Sequence, residues 1–361
     1  LGDKQNLVNL LIEVLESGFL VQGQYVTQFE QQIADFLGVR HAIAVSSGTA
    51  ALHLSLIALG IGPGDEVVIP AYTFPATANV VELVRAKPVL VDVGLETYNI
   101  QIEQIERVIS PDTKAIIPVH LFGNPADMNP IMEIAKKHNL WVIEDAAGAL
   151  GSIYKGRKCG TIGHIGCFSF HPRKIVTTGE GGMVVTNEDD LAEQIRSLRN
   201  HGMRTVGGKL DFVAAGFNYR MNELEAVLGI IQMREIQEII SERQRLAGFY
   251  MDALKSVPGI AFQKVLPNCT TVWQAFVVRF EDRDASFVLE FLRNANIEAN
   301  IGTYALHVLQ FYSKKYGYKP SDYPNAAELY SRGVALPFYN HMTQRDIVQV
   351  LETLRGIFNE D

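Results

Sequence analysis

Gly166-Cys-Phe-Ser-Phe-His-Pro-Arg-Lys174 runs directly into Ile-Val-Thr-Thr-Gly-Glu-Gly-Gly182, and the reading of this stretch decides the fold. Residues 166–170 read as a short apolar strand, and 177–182 read as a glycine-rich turn. Lys174 therefore sits on a junction between elements, whereas most lysines stand on a solvated helix face. A lysine held off water has its neutral form favoured, and only the neutral amine attacks a carbonyl. That is the requirement for a Schiff base with an aldehyde such as pyridoxal phosphate (PLP). Taken alone, Lys174 reads as a surface residue, so its companions decide.

Two companions come from other strand ends. Leu140-Trp-Val-Ile-Glu-Asp145 is an apolar run closing in two carboxylates. In a parallel sheet such a strand is buried, and its carboxyl end opens on the ligand crevice. A carboxylate there, Asp145, holds the ring nitrogen of PLP protonated and keeps the ring an electron sink; the alternative is that Asp145 only caps a following helix. His41-Ala-Ile-Ala-Val45 leads into Ser46-Ser-Gly-Thr49 and the helix-like Ala50-Ala-Leu-His-Leu-Ser-Leu56. Small residues at a strand-to-helix junction let backbone N–H groups converge on a phosphate, although an ordinary helix start reads the same way.

Further out, strand and helix alternate. Apolar strands are expected at 41–46, 66–70, 88–92, 114–119, 140–144, 166–170 and 182–186, with helices such as 49–59 and 130–138 between them. This pattern predicts an α/β architecture with a mostly parallel sheet and right-handed crossovers, partly antiparallel where the later strands crowd together. A long helical stretch follows from 222 to about 254. A strand at 273–280 and helices at 286–295 and 343–358 then suggest a smaller α+β body. The expected division is a large α/β domain over 1–235 and a small C-terminal α+β domain over 236–361.

The chain resembles the DegT/DnrJ/EryC1/StrS family of PLP-dependent aminotransferases of fold type I. The matching text begins with Val21-Gln-Gly-Gln-Tyr-Val-Thr-Gln-Phe-Glu30, Ser46-Ser-Gly-Thr-Ala-Ala-Leu52 and Ala71-Tyr-Thr-Phe-Pro-Ala-Thr-Ala-Asn79. Further matches are Glu144-Asp-Ala-Ala147, Phe168-Ser-Phe-His-Pro-Arg-Lys174, Thr178-Gly-Glu-Gly-Gly182, Gly216-Phe-Asn-Tyr-Arg-Met221, Asp322-Tyr-Pro-Asn-Ala-Ala-Glu328 and Ala335-Leu-Pro337. They run through nearly the whole chain.

The resemblance implies a role for each residue. Lys174 is the Schiff-base lysine and proton shuttle, and Asp145 pairs with the pyridinium nitrogen. Phe74 stacks on the PLP ring. Gly48, Thr49 and the Ser169 hydroxyl hold the phosphate, and Asn218 reaches it from the partner subunit of a homodimer. Tyr304 and His307 lie in the loop that the family uses for substrate. The implied reaction moves an amino group, from glutamate, to a nucleotide-linked keto-sugar. The rivals are amination of a non-nucleotide ring ketone of the cyclitol type, a PLP-dependent sugar dehydratase, and a non-catalytic PLP-binding regulator. The dehydratases replace the lysine with histidine, and no basic or helix-turn-helix appendage supports a regulator.

Several positions depart from the family pattern. Gly148 stands where the family often has a Gln that touches the ring hydroxyl, and Glu225 stands where it has Gln. Gly302-Thr-Tyr-Ala-Leu-His307 is shorter than the usual substrate loop. The proline-containing N-terminal arm has no counterpart in the sequence as given. The chain opens at Leu1, which leaves its natural start open.

Bulk properties fit a cytoplasmic enzyme. The chain has 361 residues, 47% of them hydrophobic and 20% charged, as in globular proteins. A net charge of −8 argues against nucleic acid as a partner. No apolar run approaches the roughly 18 residues of a membrane span. Three scattered cysteines suit neither a disulfide framework nor a metal site. Gly60-Ile-Gly-Pro-Gly64 follows a helix and precedes a strand, so it reads as a helix-ending turn and not as a dinucleotide fingerprint. His120 reads equally as a site residue or a core histidine, and the direction of His171 is open. Residues 203–211, with Gly207-Gly208, read as a mobile loop.

Overall fold

The computed structural model describes residues 3–255 and 257–357. Its centre is a seven-stranded sheet. The strands are β1 (His41–Val45), β2 (Glu66–Pro70), β3 (Lys87–Val91), β4 (Thr113–Ile116), β5 (Trp141–Asp145), β6 (Ile165–Ser169) and β7 (Gly182–Thr186). Their spatial order is β3-β2-β4-β5-β6-β7-β1. Neighbours from β3 to β6 are parallel, and β7 alone runs against both of its neighbours. Each expected strand is present within a few residues of its expected bounds.

The sheet is covered on both faces, which is why its strands are continuously apolar. Side chains alternate between the two cores. Ala42 and Ala44 of β1 join one core with Phe29, Ile33 and Val227. Ile43 and Val45 join the other with Leu52, Leu54, Val80 and Ile195. The first core lies under the helices Gln24–Leu37 and Glu223–Arg234, which meet closely at Gly229. A Cβ there would come within 2.6 Å of the Phe29 ring.

A second, antiparallel sheet follows, of β8 (Ile260–Phe262), β9 (Phe276–Phe280), β10 (Asn300–Ile301) and β11 (Gly333–Leu336), in the order β8-β9-β11-β10. The helices Ile236–Leu254, Ala285–Asn294 and Gln344–Ile357 pack on it, around Tyr250, Phe276, Val288 and Leu351. Residue 358, the last of the expected final helix, lies outside the described residues. Ile236 and Ile240 still pack in the first core, and Leu246 onward packs in the new one. We propose the domain boundary at residues 235 and 236.

Three expectations need correction. The stretch 222–254 is two helices, Glu223–Arg234 and Ile236–Leu254, interrupted at Glu235 with φ −105° and ψ 7°. The strand expected from 273 begins at Phe276, because Trp273 is held at φ +51°, which no strand residue adopts. Residues 203–211 are no irregular loop: Met203–Val206 and Lys209–Phe212 pair as a hairpin across Gly207-Gly208. Both glycines have positive φ, 56° and 79°, as a tight two-residue hairpin turn requires.

One buried carboxylate fixes the loop that joins β5 to β6. Glu144 accepts hydrogen bonds from the N–H groups of Gly160, Ile162 and Gly163. It also pairs with His120 Nε2 at 2.8 Å. Nδ1 of His120 accepts the Ala126 N–H, so the proton of the ring lies on Nε2 and points to Glu144. Glu144→Ala would leave these buried donors unsatisfied. We expect a stability loss of about 3 kcal/mol in urea denaturation; a change within about 0.5 kcal/mol would contradict this reading.

Candidate active site

The carboxyl ends of β5 and β6 lie side by side, with Asp145 in register with Cys167. Above them opens a cavity of about 1010 Å³. Lys174 lies on its wall, on the turn that follows β6, and its backbone N–H donates to His171 O at 2.8 Å. Desolvation by the surrounding protein lowers the Lys174 pKa; the Asp145 carboxylate opposes this, and Arg173 adds to it. The amine is thereby held closer to its neutral, nucleophilic form.

Asp145 is buried and also lines the cavity. Thr77 Oγ1 donates to its Oδ2 at 2.8 Å, and the Ala147 N–H donates to its Oδ1 at 3.3 Å. Burial raises its pKa, while these two donors, Lys174 and His120 lower it. No helix follows β5 directly, since residues 146–151 form turns and irregular backbone. Asp145 is therefore not a helix cap.

The opposite end of the cavity is the N-terminus of the helix Gly48–Ala58. Ser47 caps it, its side chain accepting from the Ala50 N–H at 3.0 Å. The Gly48 and Thr49 N–H groups have no acceptor within the helix and sit at its positive end. A Cβ on Gly48 would stand 2.8 Å from Ser169 Cβ and 3.3 Å from Ser169 Oγ. Glycine thus lets the Ser169 hydroxyl and the helix end share one concave corner.

Six of the seven residues expected to hold the cofactor line this one cavity: Gly48, Thr49, Phe74, Asp145, Ser169 and Lys174. Phe74 is 62% exposed there and meets Tyr304 edge-on, with ring centroids 6.3 Å apart. Tyr304 lies behind Phe74 and off the cavity wall. His307 needs correction as a substrate residue: it is fully buried, contacts Pro320 O and packs against Tyr323. Asn218 is exposed and off the wall of its own chain's cavity. His120 is both a buried core residue and a wall residue, while His171 is exposed at the rim. Glu225 completes a capping box with Asn222.

Sequence reading missed Thr77, Arg243 and Gln274. Thr77 lay inside a quoted segment but carried no signal of its own. Arg243 and Gln274 arrive from the second sheet and its helix, and no local pattern announces such contacts.

The residues present fit PLP. A phosphate suits the free N–H groups and hydroxyl of the Gly48 corner, a ring nitrogen suits Asp145, and an aldehyde suits Lys174. A family model, the DegT/DnrJ/EryC1/StrS aminotransferase family, matches residues 2–355. GDP-perosamine synthase of Caulobacter vibrioides is 40% identical over 92% of this chain and 90% of its own. The crystal structure of S. venezuelae DesV superposes with a TM-score of 0.93 at 32% identity, covering 99% of this chain and 95% of that one. DesI, solved in the presence of its TDP-sugar product, gives a TM-score of 0.91 at 31% identity, covering 99% and 91%. The chain belongs to this family and is a PLP-dependent aminotransferase of the α/β class.

Two outcomes follow from the geometry. Gly48→Ala would force the corner apart, and we expect PLP affinity, measured by equilibrium titration of the apoprotein, to fall at least about tenfold. Unchanged affinity would contradict the phosphate corner. The second concerns pH. Because the Lys174 pKa is lowered, the rate of PLP capture should rise with pH and reach half its maximum below the ordinary lysine value of 10.5. Asp145→Asn removes the carboxylate that favours the ammonium, so this midpoint should move lower still. A midpoint at or above the ordinary value would contradict the desolvated amine.

Proposed function

We propose that this member of the DegT/DnrJ/EryC1/StrS family transfers an amino group from glutamate to a nucleotide-linked keto-sugar in the cytoplasm. The observation that carries the reading is the shared cavity of Lys174, Asp145 and the Gly48 corner. The names of the relatives support the substrate class, since one is a GDP-perosamine synthase and another was solved with a TDP-sugar product.

When bound, PLP supplies an electrophilic carbon and an electron-withdrawing ring. Once free, the Lys174 amine would act as the general base that takes the donor's α-proton and then as the acid that returns it. Asp145 holds a proton at the ring nitrogen, and Thr77 orients that carboxylate. Gly48, Thr49 and Ser169 hold the phosphate, and Phe74 offers an aromatic face to the ring. The large remainder of the cavity, reaching 296–303 and 335–339, takes the substrate.

We read the working unit as a homodimer in which Asn218 completes the neighbour's phosphate site. Supporting this, Asn218 is exposed, and apolar side chains are exposed on two further segments: Val206, Leu210, Phe212 and Val213 of the hairpin, and Leu15, Phe19 and Leu20 near the N-terminus. Such exposed apolar groups mark interaction surfaces.

The reaction test incubates the protein with glutamate and a panel of keto-sugar nucleotides and follows product mass. We expect an amino-sugar nucleotide and an equal amount of 2-oxoglutarate. Amination of free ring ketones alone would contradict the substrate class. For the shared site, Lys174→Ala and Asn218→Asp protein are mixed under subunit exchange. One site of a mixed dimer then carries both lesions and the other neither, so activity should return toward one intact site per mixed dimer. Exchange confirmed by mass without recovered activity would place Asn218 at its own chain's site.

A further inference from the structure

Gln274 occupies the space beside Gly148. A Cβ on Gly148 would stand 3.2 Å from Gln274 Oε1 and 3.3 Å from its Cγ, so the wall at 148 is built by a side chain from the second sheet's leading segment. The backbone of Gln274 is firmly held. Its N–H donates to Phe122 O at 2.9 Å, and Arg243 Nη2 donates to its carbonyl at 2.7 Å. Arg243 Nε also donates to Trp273 O at 2.9 Å, next to the left-handed turn at φ +51°.

The side-chain amide is divided between two tasks. Nε2 donates to Arg173 O at 3.0 Å, on the residue preceding Lys174. This assigns the amide's orientation and turns Oε1 toward Gly148, where no donor from a described residue reaches it. Gln274 therefore touches both the lysine turn and the segment three residues beyond Asp145, and it lines the cavity.

The constitution of PLP says what meets that oxygen. The carbonyl carbon and the ring nitrogen lie at opposite ends of the ring, with the phosphate arm on one long edge and the hydroxyl on the other. With the nitrogen at Asp145, the carbonyl carbon at Lys174 and the phosphate at the Gly48 corner, the hydroxyl edge is left to Gly148 and Gln274. We propose that Gln274 is a cofactor-binding residue whose Oε1 accepts a hydrogen bond from the ring hydroxyl while its Nε2 holds the lysine turn. This rests on the cofactor placement given above.

The test titrates the visible absorbance of bound PLP against pH in the wild type and in Gln274→Leu, Gln274→Glu and Gly148→Ala. An acceptor on the hydroxyl stabilises the protonated cofactor. Gln274→Leu should lower the titration midpoint by about one unit, the equivalent of one hydrogen bond. Gln274→Glu keeps an acceptor and adds negative charge, so its midpoint should rise. Gly148→Ala leaves residue 274 intact but crowds Oε1, and should lower the midpoint by less; it carries the test if Gln274→Leu does not fold. Leu and Glu variants shifting in the same direction would reduce Gln274 to a holder of the turn and overturn the proposal, as would unmoved midpoints. A wild type that takes up no PLP would overturn the cofactor placement itself, and the proposal with it.

Discussion

Lys174 and Asp145 are an amine and a carboxylate set in one cavity, and the surrounding structure serves that juxtaposition. Desolvation pushes the amine toward neutral and the carboxylate toward protonated, while each charge supports the other. Their positions follow from β5 and β6 being adjacent parallel strands. The carboxyl ends of such strands open on the same side, so residues distant in sequence converge there.

Close approach is the second constraint. Gly48 meets Ser169, and Gly182 on β7 would bring a Cβ to 2.4 Å from the Ser47 carbonyl. The strand that runs against both of its neighbours in the central sheet thus passes directly against the start of the helix Gly48–Ala58. Glycine is needed there because of space and not because of backbone angles, since neither residue has positive φ.

The sheet was legible in the sequence because strands buried on both faces are unbroken apolar runs bounded by polar turns. Gly48, Asp145 and Ser169 were legible as neighbours for the same reason, as they sit at strand ends or a helix start and line the cavity. Gly207-Gly208 between Met203-Arg-Thr-Val206 and the alternating Lys209-Leu-Asp-Phe212 is a readable hairpin signal, and reading the segment as a loop overlooked it. His307 misled because a loop position in sequence does not reveal burial. Gln274 was hidden because its place beside Gly148 depends on a left-handed Trp273 and on Arg243 from a distant helix.

The central claim is that Lys174 is the residue that holds the cofactor covalently. Borohydride reduction of the PLP-loaded protein, followed by peptide mapping, tests it most directly. The account predicts a single pyridoxyl group on the peptide bearing Lys174. A pyridoxyl group on another lysine, or none after loading with PLP, would contradict it.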